Sequence, residues 1–138
     1  MFGGEKSGKG GKRKKTRMRV TAVIAGAGRG ERFRSGVPKL WALIKGKPVI
    51  YYTLQVLERA SSVDDVVLMC PAGEEEFFRR KIALWRLKKT VGVYAGGEKR
   101  QDTVRKGLDL LHKSCEIIVI HDAARPFASP ALFAEVVD

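Results

Sequence analysis

Apolar positions along this chain switch repeatedly between two periods. Val20 to Ala25 is a short β-branched run ending at glycine, as a strand buried on both faces would be. Pro38 and Gly46–Pro48 mark turns. From Val49, the residues Ile50, Leu54 and Leu57 recur at i, i+4 and i+7, which predicts an amphipathic helix over 48–60 that stops at Ser61-Ser62. Val66 to Cys70 is a second continuous apolar strand, closed by Pro71. Helical spacing returns from Glu74 to Lys89 through Phe78, Ile82 and Trp85. Glu74-Glu75-Glu76 sit where the helix macrodipole favours negative charge. Val91 to Ala95 reads as a third strand, ending at Gly96-Gly97. A third helix over 100–113 carries Val104, Leu108 and Leu111 on one face. Ile117 to Ile120 is a fourth strand, running into His121-Asp122-Ala123-Ala124-Arg125-Pro126, and Pro130 to Asp138 opens another helix.

This βαβαβαβ order predicts an α/β fold with a parallel sheet, right-handed crossovers and helices on its faces. Polar or glycine-rich segments follow the strands at 26–39, 96–103 and 121–126. All three leave carboxyl ends of parallel strands, so they gather on one edge of the sheet, where open α/β sheets hold ligands.

Composition refines this picture in one respect. The net charge is +12, but residues 1–19 contribute +7 of it, with eight basic residues and one acidic one. That glycine- and lysine-rich stretch has almost no large apolar side chain to offset its ordering entropy, so it is expected to be a disordered basic tail. Lys12-Arg13-Lys14-Lys15 could touch nucleic acid or serve as a localisation signal; a solvated extension is the simpler reading. The remainder, at 44% hydrophobic content for the whole chain, has room for one domain with a proper core. No apolar run is long enough to span a bilayer, and Cys70 and Cys115 fit neither a disulfide framework nor a metal-ligand spacing. A reducing, cytoplasmic setting is the default expectation.

The densest chemistry lies in AVIAGAGRGERFRSGVPK, residues 22–39. Gly26, Gly28 and Gly30 let the backbone approach an anion closely and turn its N–H groups inward, while Arg29, Arg32, Arg34 and Lys39 follow within reach. It is not a Walker A loop, because no glycine is followed at once by Lys-Ser/Thr after the required gap. It also fails the dinucleotide fingerprint, since Glu31 stands where the third glycine belongs, and the second strand ends in Cys70-Pro71 rather than a ribose-binding acid.

Three segments, AGAGRGERF…VPK, GGEKRQDTV and HDAARPF, together resemble the 2-C-methyl-D-erythritol 4-phosphate cytidylyltransferase family in order and spacing, over residues 20–138. Ala25 stands where that family often has Leu or Pro, and Gly26 where Ala is common. The resemblance implies a Rossmann-like three-layer α/β/α sandwich of the nucleotide-diphosphosugar transferase type, incomplete at its C-terminus. It also implies transfer of CMP from CTP to methylerythritol phosphate with release of pyrophosphate. By position, Arg32 and Lys39 match the family's transition-state cations. Ala25, Gly26, Ala27 and Gly28 match nucleotide contacts. Gly97, Glu98 (where Asp is more usual), Arg100 and Thr103 match the loop around cytosine and ribose. Asp122 matches the Mg²⁺-binding carboxylate, Ala123 lies beside it, and Arg125 matches a contact to the acceptor phosphate. Homodimerisation at full length is implied as well.

Each residue also has a plainer reading. Arg32 and Lys39 alone would pass for surface cations, Asp122 for a turn former, Thr103 for an early helix residue, and Arg125-Pro126 for a turn. His112 and His121 are taken as structural. Because family members run well beyond residue 138, the chain is expected to hold the nucleotide half of the site and to lack most of the acceptor half, leaving the fourth strand as an exposed apolar edge. Ribitol 5-phosphate is the alternative acceptor. An inactive α/β domain with a nucleic-acid-binding tail is the alternative class. That last reading predicts salt-sensitive RNA or DNA binding lost on removal of residues 1–17.

Overall fold

The computed structural model describes residues 18–27, 39–111 and 115–125. Residues 1–17 of the basic tail, Gly28, Arg32 and the helix expected from Pro130 lie outside the described residues, whereas Arg19, placed in that tail from sequence, is instead tied to Asp65 at the start of β4. The elements in chain order are β1 (Val20–Ala25), a 3-10 turn (Lys39–Trp41), β2 (Leu43–Ile44), β3 (Lys47–Pro48), α1 (Val49–Arg59), β4 (Asp65–Cys70), α2 (Glu75–Leu84), β5 (Thr90–Ala95), α3 (Arg100–Asp109) and β6 (Ile117–Asp122).

Four strands form one parallel sheet in the order β5-β4-β1-β6. The chain steps outward from β1 to β4 to β5, then returns past β1 to lay down β6 on its other side. Right-handed crossovers then put the helices of the outward and return steps on opposite faces, and the core divides accordingly. Val20, Ala22 and Ile24 of β1 and Val66, Leu68 and Cys70 of β4 pack with Ile50, Leu54 and Leu57 of α1 and Phe78 and Ile82 of α2. The alternate residues Val23, Val67 and Met69 face α3, with Leu111 against them. Thus β1 is buried on both faces, which explains why its sequence shows no polar alternation. α3 comes so close that a Cβ on Gly107 would meet Val23 Cγ1 at 2.7 Å, so the helix carries glycine where it crosses the sheet.

Two helices end earlier than their periodicity suggests. α2 stops at Leu84 because the Arg86 N–H donates to Ala83 O and the Leu87 N–H to Ile82 O, both at 3.1 Å. This is a Schellman closure, with Ile82 and Leu87 both buried to complete it. Its left-handed residue is Arg86, at φ 57°, a conformation that costs a side-chain-bearing residue about 1 kcal/mol. α3 ends at Asp109, where the Leu110 N–H turns back to Gly107 O.

The turn signal at Gly46–Pro48 proves to be part of a small hairpin, β2 paired antiparallel with β3. Lys45 and Gly46 both have positive φ, the geometry of a tight two-residue hairpin turn. The segment is fixed to α1 by the Tyr52 hydroxyl, which donates to Ile44 O at 2.5 Å, and by the Val49 N–H, which donates to Ala42 O at 2.9 Å. Ahead of it, Trp41 stacks at 5.3 Å from both Phe77 and Phe78 of α2.

At the opposite end of the sheet, Arg19 binds Asp65 with Nε and Nη2 at 2.9 and 2.7 Å, and this pairing raises the guanidinium pKa further. The Asp64 carboxylate accepts the Val20 N–H at 2.8 Å, setting where β1 begins.

Cys70 ends β4 with no exposed surface. Burial, reinforced by the Glu75 and Glu74 carboxylates, pushes its thiol up to about 11. The folded state therefore retains this proton after the unfolded chain has released it, so stability is lost as pH rises from about 8.5 to 11. Denaturant unfolding of the native chain and of Cys70→Ala at pH 8 and pH 11 should show the gap between them narrowing by about 2–3 kcal/mol; a gap that stays constant would mean the thiol is not so shifted.

Candidate active site

The reversal of direction at β1 creates a switch point between β1 and β6, and the carboxyl ends of these two strands flank the crevice where such folds bind ligands. Ala25 of β1 is in register with Asp122 of β6 and with Met69 of β4. Past the strand ends the three connections stay tied together. The Ala123 N–H donates to Ala25 O at 3.1 Å, the Gly26 N–H to Met69 O at 2.9 Å, and the Gly96 N–H to Cys70 O at 2.9 Å. The loops expected to converge do so wherever they are described.

Contact between them is close enough to dictate residue size. A Cβ on Gly96 would collide with Ala27 Cβ and approach Thr103 Oγ1 at 2.7 Å. One on Gly26 would sit 3.1 Å from both Ala123 Cβ and Met69 O, with Leu40 Cδ1 at 3.6 Å. Small residues at 26, 27, 96 and 123 therefore bring the first, second and third loops together. Lys39 immediately precedes Leu40, which places its backbone beside this junction on the 3-10 turn held by Trp41.

Thr103 is buried in the first turns of α3, and its hydroxyl closes the glycine loop by accepting the Gly97 N–H at 3.0 Å and donating to Gly97 O at 3.3 Å. In this arrangement its hydroxyl holds the loop backbone. Glu98 and Arg100 are exposed on either side of Lys99, the residue before α3. Lys99 supplies no side-chain cap, so the first N–H groups of the helix are left facing the loop.

Asp122 accepts the Ala124 N–H on Oδ1 at 2.9 Å, the turn-forming role considered from sequence. That bond also fixes the carboxylate, and Oδ2 has no protein partner among the described residues. The turn is completed by the Arg125 N–H to Asp122 O at 3.2 Å and by His121 Nε2, which donates to Arg125 O at 3.1 Å. Arg125 itself is exposed. Among the described residues no three His, Cys, Asp or Glu side chains gather to hold a metal. The donor set is one oriented carboxylate, which suits a hard divalent cation completed by phosphate oxygens and water rather than a closed protein cage.

Thr53 escaped the sequence reading. Its buried hydroxyl donates from α1 to Ala123 O at 2.8 Å, locking the β6 turn from below. The available signal was a threonine on the apolar face of a predicted helix, where an unpaired hydroxyl would be costly. Leu40 and Trp41 were also missed, because their partners lie far away in sequence. The glycine-loop residues Gly28 and Arg32 lie outside the described residues.

The family model for 2-C-methyl-D-erythritol 4-phosphate cytidylyltransferase matches residues 20–138. A protein of that name from Alkaliphilus metalliredigens is 34% identical over 121 residues, covering 87% of this chain and 50% of its own length. Another from Syntrophus aciditrophicus is 38% identical over 121 residues, with 87% and 52% covered. The crystal structure of 4-diphosphocytidyl-2C-methyl-D-erythritol synthase from Anaerococcus prevotii superposes with a TM-score of 0.73 at 25% identity, covering 88% of this chain and 50% of that one. The chain thus spans about half the length of the relatives it matches. With this match over all of the chain beyond its basic tail, the protein belongs to the 2-C-methyl-D-erythritol 4-phosphate cytidylyltransferase family.

Proposed function

We propose that residues 20–138 are the nucleotide-binding part of an enzyme that transfers CMP from CTP to 2-C-methyl-D-erythritol 4-phosphate. The acceptor phosphate oxygen bonds to the α-phosphorus of CTP, the α–β anhydride bond breaks, and pyrophosphate leaves. The observation that carries this reading is the junction of the Gly26, Gly96-Gly97 and Asp122-Ala123 turns at the β1/β6 switch point. Family membership supports methylerythritol phosphate over ribitol 5-phosphate as acceptor.

Phosphoryl-type transfer leaves the protein little covalent work, so positioning and charge stabilisation dominate. Lys39, with Arg32, neutralises charge growing at the α-phosphorus. Ala25 to Gly28 offer backbone to the nucleotide. Gly97, Glu98 and Arg100 surround cytosine and ribose, with Thr103 holding that loop in shape, and Arg125 reaches the acceptor phosphate. Asp122 would hold the divalent cation, in our reading Mg²⁺, which when bound supplies charge neutralisation on the triphosphate. A cytoplasmic enzyme that dimerises at the relatives' full length completes the proposal. No helix among the described residues is long and apolar enough to cross a membrane.

The assigned half-site can be tested on this chain by titrating CTP in the presence of Mg²⁺. Saturable binding is expected, weakened about tenfold or more by Lys39→Ala and by Asp122→Asn, each of which removes a charged contact. Absence of binding, or indifference to both substitutions, overturns the proposal. Pyrophosphate release, where turnover is measurable, should be greater with methylerythritol phosphate than with ribitol 5-phosphate and should fall about 10²–10³-fold in Lys39→Ala.

A further inference from the structure

Away from the strand ends that build the candidate site, a groove of about 450 Å³ runs between the flank of α2 and the outer edge of β5. Its apolar lining includes Ile82, Leu87 and Val91, and its polar lining carries Arg79, Arg86 and Lys88. No aspartate or glutamate lines it. Arg79 is already engaged, with Nη2 donating to Val93 O at 2.9 Å and Nη1 3.6 Å from Glu76. Arg86 and Lys88 are exposed.

The backbone that carries both cations is held by hydrogen bonds. Arg86 is the left-handed residue of the α2 Schellman closure, a position where glycine would be the unstrained choice. Two residues on, the Glu58 carboxylate accepts the Lys88 and Lys89 N–H groups at 3.1 and 2.9 Å, and Lys89 Nζ donates to Ala60 O at 2.6 Å. The segment is therefore held from both sides, with an arginine at a position whose backbone conformation favours glycine.

We propose that this groove binds a small amphipathic anion. Arg86 and Lys88 hold a carboxylate, sulfonate or phosphate head, and the apolar lining with Val91 takes its hydrocarbon body. The groove is open to solvent, so a small molecule would lie along it in contact chiefly with Val91, rather than be enclosed. Charge-assisted contacts to the two cations hold the head, and contact of the body with the apolar lining supplies the remaining affinity.

The experiment titrates the 138-residue chain with 1-anilinonaphthalene-8-sulfonate and displaces the dye with decyl phosphate or decanol. Saturable binding to the native chain is expected, with decyl phosphate displacing far better than decanol. Arg86→Gly should weaken both anions about tenfold or more, the scale of one hydrogen-bonded charge. Its thermal midpoint should be equal or higher, because glycine relieves the left-handed conformation. Arg86→Lys should bind within a few-fold of the native chain. Four results would each overturn the proposal: equal affinity in native and Arg86→Gly chains, equal displacement by decanol, a lowered midpoint in Arg86→Gly, or Arg86-dependent sedimentation with phosphatidylglycerol vesicles. The last of these would make the ligand a membrane surface rather than a small molecule.

Discussion

A strand paired along both edges and covered on both faces admits no charged side chain, and β1 is such a strand. It is paired with β4 over Thr21–Ala25 and with β6 over Val20–Ala25, while Ile24 and Val23 enter the cores on opposite faces. Chemistry can begin only where that burial ends, at Ala25-Gly26. Because the chain reverses direction around β1, the neighbouring strand ends arrive at the same place carrying Asp122 and the Gly96-Gly97 turn. The site is a consequence of the order in which strands were laid down, and the small residues that bring the turns together are its structural requirement.

The parts of this arrangement that were legible in the sequence share a physical cause. β1 is matched residue for residue, from Val20 to Ala25, because a doubly buried strand has no polar position to confuse its ends. The helices at 49–59 and 75–84 were visible from Leu54, Leu57, Phe78 and Ile82, all of which are buried. Their limits were less visible. Trp85 extends the apolar spacing of α2, and Leu111 that of α3, but backbone closures at Arg86 and Leu110 end the helices first. The β2–β3 hairpin was read only as a turn because each strand is two residues long, too short for a period to register.

Within the site, the converging turns could be anticipated from the alternation of strands and helices. The contacts that hold them could not. Thr53 reaches Ala123 across 70 residues, and Trp41 meets Phe77 and Phe78 more than 30 residues away. Such pairings depend on how helices rotate onto the sheet, which no local spacing records. Thr103 illustrates the difference: its position was recognised through a motif, whereas its work, bracing the Gly97 backbone, is visible only in three dimensions.

The two borders of the sheet are treated unequally. On β5, the guanidinium of Arg79 occupies the outward carbonyl of Val93, and a register irregularity opposite Val66 and Val67 disturbs the strand further. On β6, Ile118 and Ile120 are left partly exposed, and no other described strand pairs beyond it. With its carbonyl taken by a guanidinium from α2, the β5 border is a poor template for an incoming strand from another copy.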